Sequence, residues 1–318
     1  MINRHCPTLA LILPCYNEQE ILPRTLNAVA ALLEALKVEG RISSDSFALY
    51  VDDGSRDATW ELISAAHASS PQSCRGLKFA GNAGHQNALY AGLLQVRDMA
   101  DCAISLDADL QDDLAAIRPM LTHFAAGCEL VYGVRNDRSS DTAFKRGTAH
   151  AFYRGMEMLG VKLIPDHADF RLTSRPVLEA LASYSEYHLF LRGIFPSMGF
   201  RSASVGYARL ARQAGESKYP LRRMLAFALS GITSFSPVPL RLAGILSAGA
   251  LLLALLESLR ALYTYFTGGT VPGWTSLIIA LLLLGSVQLF CLAVMGEYMA
   301  RMFTEVKRRP RYLIEKIL

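Results

Sequence analysis

Cysteine is scarce and scattered: Cys6, Cys15, Cys74, Cys102, Cys128 and Cys291 include no C-x-x-C pair, and no histidine stands at zinc-ligand spacing from them. A structural zinc module is excluded, and reduced thiols are implied. The opening Met1-Ile2-Asn3-Arg4-His5 lacks the apolar core and small-residue cleavage site of a signal peptide, so the large domain is expected in the cytosol. Basic residues exceed acidic ones by only 32 to 28, and they gather beside apolar segments rather than interleaving with aromatics. That distribution excludes nucleic acid as a partner and favours an anionic membrane surface. Charge itself is missing from Trp274 to Gly296, a run of about 23 residues, long enough to cross a hydrocarbon core of about 30 Å.

Hydrophobic residues make up 52% of the 318 positions, and the excess lies toward the C-terminus. A second apolar run, 240–266, is interrupted by Glu257 and Arg260, which at i and i+3 can pair on one helix face. The short, uncharged, turn-rich stretch between the runs suits a tight hairpin loop. Lys218, Arg222, Arg223 and Arg241 precede the hairpin, and Arg301, Lys307, Arg308, Arg309 and Arg311 follow it, so both ends are expected to face the cytosol. The expected organisation is a cytosolic domain over 1–217, a juxtamembrane amphipathic helix over 218–238, two transmembrane helices within 239–300 (240–266 and 274–299), and a cytosolic basic tail over 301–318. Between Leu221 and Ile232, and again from Phe144 to Leu159, apolar positions recur at helical spacing beside basic ones, as in interfacial helices.

The first 135 residues alternate short apolar runs with amphipathic patterns. Strands are expected at Thr8–Leu13, Phe47–Val51, Gly76–Phe79, Cys102–Leu106 and Glu129–Val134, and helices at Glu18–Leu36, Asp57–His67, Gly84–Val96 and Asp113–Phe124. Such alternation implies an α/β fold with a mostly parallel sheet covered on both faces. Ligands bind such sheets beyond the carboxyl ends of the strands. Four polar clusters fall there: Pro14-Cys15-Tyr16-Asn17-Glu18, Asp52-Asp53-Gly54-Ser55-Arg56-Asp57, Gly81-Asn82-Ala83-Gly84-His85 and Asp107-Ala108-Asp109-Leu110-Gln111-Asp112. Each alone reads as an ordinary turn or helix cap. Four at successive strand ends point to one site.

If the fourth strand continues, alternation aims Asp107, Asp109 and Gln111 to one side. Two carboxylates held together call for a hard divalent cation, Mg²⁺ or Mn²⁺, able to bridge nucleotide phosphates, with Gln111 adding an amide oxygen. No acid/base pair stands out, and His85, His150, His167 and His188 read as structural, with His167 notable as a neighbour of Asp169.

These motifs, with Asp169-Phe170-Arg171-Leu172, Arg212-x-x-Gly215-Glu216-Ser217-Lys218-Tyr219 and Gly296-Glu297-Tyr298 through Arg309-Pro310-Arg311-Tyr312-Leu313, resemble the family 2 glycosyltransferases of GT-A fold. The resemblance is to their polyprenyl-phosphate branch, which includes bactoprenol glucosyltransferases and dolichol-phosphate mannose synthase. It implies a Rossmann-like, mostly parallel catalytic domain and transfer of a hexose, foremost glucose from UDP-glucose, to polyprenyl phosphate with inversion. Galactose, N-acetylhexosamine, aminoarabinose derivatives and mannose are the alternative sugars. Pro14, Tyr16, Glu18 and Asp53 would hold the nucleoside; Asp107, Asp109 and Gln111 the metal and diphosphate. Arg212 and Lys218 would close over the phosphates. Asp169 and Arg171 would meet sugar and acceptor, with an Asp169–Arg171 ion pair as the alternative. Arg135, Arg138, Lys145 and Arg146 would grip the acceptor phosphate, Thr148 replacing a serine the family often has at Ala149. Ser197-Met198 departs from the relatives' Ala-Trp. Bacterial relatives imply a membrane homo-oligomer, a tetramer, serving cell-envelope glycans from the inner membrane. A processive polysaccharide synthase is disfavoured because neither Trp60 nor Trp274 lies in a Gln-x-x-Arg-Trp motif. A nucleotide-binding adaptor without activity is disfavoured by Asp107, Asp109, Arg212 and Lys218.

Overall fold

The computed structural model describes residues 6–135, 167–187, 189–208, 238–267 and 273–318. Along the chain these form β1 (Leu9–Cys15), α1 (Leu22–Val38), β2 (Phe47–Asp52), α2 (Thr59–Ser69), β3 (Cys74–Phe79), α3 (His85–Val96), β4 (Cys102–Ser105), α4 (Ile117–Ala125), β5 (Leu130–Arg135), β6 (His167–Ser174), α5 (Arg175–Ala182), α6 (Leu191–Ser197), β7 (Ser202–Tyr207), α7 (Val238–Phe266), α8 (Trp274–Lys307) and β8 (Ile314–Ile317). Two compact units result. Among the described residues one comprises 6–135, 167–187, 189–208 and 309–318, the other 238–267 and 273–308.

In the first unit eight strands form one sheet in the order β7-β5-β6-β4-β1-β2-β3-β8. β1 pairs in parallel with β2 and β4, and β2 with β3, as the alternation of strands and helices requires. The chain turns one way from β1 to β2 and the other way to β4, so the β1/β4 boundary is a topological switch point. β1 has no exposed position because it is covered on both faces and both edges. α1 buries Leu22, Val29, Leu33 and Leu36, a 3.6-residue stripe, against the sheet. Each contributes about 1.5–3 kcal/mol. α3 lies so close to the sheet that a side chain at Gly92 would collide with Ile12 and Val51.

Strand β1 runs two residues beyond the expected Leu13, through Pro14, despite its central place. Ile12 O accepts the Leu106 N–H, so residues 12 and 14 direct their backbone groups toward β4. β4 has ended at Ser105, and the N–H that Pro14 lacks faces no strand. β4 is correspondingly shorter than expected, and the acidic loop begins one residue earlier.

Three strands were hidden from periodicity, among them β7, which pairs in parallel with β5. β6 inserts antiparallel between β4 and β5, making the sheet mixed on that side. β8 comes from the supposed basic tail and pairs antiparallel with β3, Leu77 opposite Ile317 and Phe79 opposite Ile314. Ahead of it, Tyr312 stacks on Phe79 with ring centroids 4.8 Å apart. Arg311 donates to Tyr184 O and lies over the Tyr90 ring.

In the second unit, α7 and α8 are long and apolar enough to cross a membrane. Leu251, Leu252, Leu255, Leu256 and Leu259 are all exposed to the surroundings of α7, as lipid and not water would require. The two helices touch where Ser247 Oγ lies 3.2 Å from Cys291 Sγ. Glu257 and Arg260 pair at 3.1 Å, as their spacing implied. α8 continues past residue 299 because nothing from Gly296 to Lys307 breaks it and Arg301 pairs back to Glu297 at 3.4 Å. It stops where Arg308 turns left-handed (φ 46°) ahead of Pro310. The interfacial-helix candidates at 144–159 and 221–232 lie outside the described residues.

Tyr312→Ala removes the ring stacked on Phe79 and is expected to lower stability by about 1–2 kcal/mol. Thermal unfolding followed by near-UV circular dichroism checks this, and an unchanged midpoint would show that β8 adds nothing to the unit.

Candidate active site

The four polar clusters occupy one end of the sheet, following β1, β2, β3 and β4. The first two are laced together. Asn17 N–H donates to Ser55 Oγ (2.9 Å), Arg56 N–H to Asn17 Oδ1 (2.9 Å) and Glu18 N–H to Thr59 Oγ1 (2.9 Å). Asp57 accepts from Gln19 N–H at 3.1 Å as well as from Thr59, so it does more than start α2. Pro14 is buried within β1, Glu18 is partly exposed, and the Tyr16 ring is 43% exposed at the open end.

Asp53, expected to meet the nucleoside, is engaged otherwise. Its carboxylate accepts Ala83 N–H (2.6 Å), Gly84 N–H (2.9 Å) and Asn82 Nδ2 (3.1 Å), clamping the loop ahead of α3. Gly54 makes this approach possible: its φ is +67°, and any Cβ would stand 2.5 Å from the Gly81 carbonyl carbon. Burial pushes the Asp53 carboxyl above its ordinary range despite the N–H donors. Asp52 leaves Oδ2 buried and without a hydrogen-bond partner among the described residues, while Oδ1 accepts Ser55 N–H. Of this pair, Asp52 keeps an open acceptor.

The fourth cluster is a loop, not a strand continuation. Leu110 adopts φ +51° and its N–H donates to Asp107 O, so alternation does not govern which way Gln111 points. The Gln111 Nε2 donates to Asp109 Oδ2 at 2.6 Å, bracing that carboxylate. Thr25 Oγ1 on α1 donates to Ala108 O (2.7 Å), fixing the loop from behind. Asp112 accepts from Tyr207 Oη at 2.6 Å, and Arg135 Nε donates to the same hydroxyl at 3.2 Å. Arg135 is thus tied to the acidic loop through Tyr207, a residue no motif had suggested.

Asp107 is crowded. Burial, with Asp112, Asp169 and Asp109 adding repulsion against the relief offered by His85, pushes its carboxyl up to about 6. The chemistry of these oxygens suits a hard divalent cation, which would relieve the crowding. Among the described residues no three His, Cys, Asp or Glu side chains form a ready cage. Asp107 and Asp109 are the residues that would hold such an ion, with the remaining oxygen ligands supplied from outside the protein.

Asp169, on β6, is the most heavily bonded carboxylate of the site. Arg171 Nη2 holds it at 2.6 Å, Arg192 Nη2 at 3.1 Å, Gln86 Nε2 at 3.3 Å, and His85 Nε2 stands 3.5 Å away. Burial alone would raise its pKa, but the His85 hydrogen bond and both guanidinium charges outweigh this and hold it well below the usual range. Arg171 has 0% exposure and lies over the Phe195 ring, so it is the ion-pair partner of Asp169 and offers no surface to an acceptor. His85, read as structural, is half-exposed and stands 3.8 Å from Asp107. Its place directly after Asn82-x-Gly84 was the available signal. Arg138, Lys145, Arg146, Thr148, Arg212 and Lys218 lie outside the described residues. Ser197 and Met198 are at the end of α6, where Ser197 Oγ donates to Ile194 O.

Comparison with known proteins follows this geometry. The family described as Glycosyl transferase family 2 matches residues 10–182. An uncharacterized glycosyltransferase of Bacillus subtilis, YkoT, is 48% identical over 97% of this chain and 91% of its own length. The SfII prophage-derived bactoprenol glucosyl transferase of Shigella flexneri is 36% identical, covering 97% of each chain. A prophage bactoprenol glucosyl transferase homolog of Escherichia coli is 34% identical over 97% of this chain and 99% of its own.

Two outcomes are expected from the site's electrostatics. Asp53→Asn turns one acceptor oxygen into a donor facing other donors, costing about 1–3 kcal/mol and loosening 81–84, which thermal unfolding and amide hydrogen exchange would register. Asp107 keeps its proton to about pH 6 when folded. Between about pH 4 and 6 the folded state then binds more protons than the unfolded chain, so this group's contribution to stability falls as pH rises. A cation must displace that proton, and Mn²⁺ should bind about tenfold more weakly at pH 5 than at pH 7 by calorimetric titration. Equal affinity at both would remove Asp107 from the ligand set.

Proposed function

Because this chain belongs to glycosyl transferase family 2, we propose that it transfers a hexose, glucose from UDP-glucose, to a polyprenyl phosphate at the cytosolic membrane face, with inversion. It is a glycosyltransferase of GT-A fold, associated with a membrane through α7 and α8. One observation carries the proposal. Bactoprenol glucosyl transferases match this chain from end to end, hairpin included, at 34–36% identity.

The chemistry asks little acid/base work of the protein. A phosphate monoester has a second pKa of about 6 and is largely dianionic at neutral pH, so its oxygen can attack the anomeric carbon directly. The bond from that carbon to the diphosphate breaks, and the nucleoside diphosphate leaves with the electron pair. Asp169 fits this economy: a carboxylate held by two arginines, a glutamine and a histidine is a poor proton acceptor and a good positioning group. Asp107 and Asp109 would hold Mg²⁺ or Mn²⁺, which when bound screens the diphosphate and stabilises its departure. Tyr16 and Glu18 line the open end of β1, where the nucleoside would rest, and Asp52 offers the acceptor that Asp53 has given to its loop. Arg212 and Lys218 would close over the phosphates, and Arg135, Arg138, Lys145 and Thr148 would receive the acceptor. The basic residues flanking the hairpin support a cytosolic catalytic unit.

Purified protein supplied with undecaprenyl phosphate, Mg²⁺ or Mn²⁺ and labelled UDP-glucose should form a lipid-linked sugar, and Asp109→Ala should lower turnover by at least about a hundredfold. A panel of other nucleotide sugars tests the donor. Full turnover by the variant would sink the metal assignment, and no product with any donor would sink the reaction.

A further inference from the structure

Sheet order brings together, at the catalytic end, an arginine and a tyrosine that lie 72 residues apart in the chain. β6 runs antiparallel to both β4 and β5, and β7 runs parallel to β5, so β5 and β7 end where β4 ends. There Arg135 of β5 and Tyr207 of β7 are direct register partners. From this position the Tyr207 hydroxyl reaches Asp112, the last residue of the fourth polar cluster, at 2.6 Å.

A guanidinium only donates hydrogen bonds, and a carboxylate only accepts them. Between Arg135 Nε at 3.2 Å and Asp112 Oδ1 at 2.6 Å, the Tyr207 hydroxyl therefore accepts from the arginine and donates to the aspartate. The phenol stands as a neutral spacer between opposite charges. Paired directly, an arginine and a carboxylate engage two parallel N–H···O bonds, which commits one whole edge of the guanidinium. Through Tyr207 the arginine commits Nε alone.

The spacer is itself fixed by packing. Tyr207 is 3% exposed, and its ring meets Phe170 edge-on, with centroids 5.2 Å apart and planes at 86°. Gly133 leaves room for both rings, since a Cβ there would stand 2.8 Å from Phe170 Cδ1 and 3.1 Å from Tyr207 Cε1. A ring seated this tightly has one place for its oxygen. Arg135 thus meets a rigid stop in place of a flexible partner.

We propose that Tyr207 is a positioning residue: it holds Arg135 apart from Asp112 at the end of β5, so that the other donors of the guanidinium serve the phosphate of the lipid acceptor. The inference rests on the transfer reaction above and on Arg135 receiving the acceptor in it. Buried Tyr207 offers no surface to a substrate and acts through Arg135. Charge-assisted bonds from an arginine that is already ordered bind a phosphate more tightly than bonds from one that must first be immobilised.

The test uses the full chain in detergent, assayed well below its unfolding temperature. Tyr207→Phe keeps the ring and removes the spacer's hydroxyl. It is expected to raise KM for polyprenyl phosphate about fivefold or more, with KM for the nucleotide sugar within about twofold of its original value and kcat changing less. The thermal midpoint falls as well, because buried Asp112 loses a donor, so a double variant supplies the readout that a structural role alone would not produce. In an Arg135→Ala background, Tyr207→Phe is expected to add nothing to the acceptor KM, because the group it positions is gone. The proposal is overturned by an unchanged acceptor KM in either single variant, by a rise shared equally between donor and acceptor, or by effects that multiply in the double variant. If the unsubstituted protein transfers nothing with any donor, the reaction fails, and equilibrium binding of undecaprenyl phosphate still decides. A loss of binding in Tyr207→Phe that disappears in the Arg135→Ala background supports Tyr207, whereas equal binding or multiplying losses remove it.

Discussion

A single buried carboxylate, Asp169, organises the catalytic end of the sheet. A charge in that position is tolerable only with partners, and its partners come from three elements: Arg171 from β6 itself, Arg192 from α6, and Gln86 with His85 from α3. Satisfying Asp169 therefore sets where α6 begins and where α3 presents His85 to the acidic loop. Removing the carboxylate would leave Arg171 as an unpaired interior charge, which couples the site's geometry to the stability of the sheet around it.

A second economy of carboxylates operates on the opposite side. Asp53 and Asp57 accept backbone N–H groups from neighbouring loops, joining the ends of β1, β2 and β3 into a rigid rim. Asp107, by contrast, is left crowded by Asp112, Asp169 and Asp109, while Asp109 is braced by Gln111. Acidic residues at this end thus divide into those that build the rim and Asp107, which stays under like-charge repulsion.

Much of this was legible in the chain. β1 to β5 and α1 to α4 follow from apolar runs alternating with 3.6-residue stripes, because each buries a predictable face. The hairpin follows from the absence of charge between Trp274 and Gly296. What escaped has a common physical cause. β6 and β8 pair antiparallel, and β7 parallel, with strands remote in sequence, and nothing local announces such partners. Arg171 has the composition of a ligand contact, yet burial against Phe195 makes it an interior counter-ion. Gln111 has the parity of a third ligand only on a straight strand, and Leu110 turns left-handed.

Residue order by itself determined the family, the α/β class, the position of the four polar clusters at strand ends and the two apolar helices, since these depend on local periodicity, turn chemistry and motif. Tertiary structure alone decided which carboxylates are engaged and which stay open, because that depends on donors arriving from distant segments: the 81–84 loop for Asp53, Tyr207 for Asp112, and Arg192 for Asp169. A side chain's chemistry is written in the sequence, but its burial and its partners are properties of the fold.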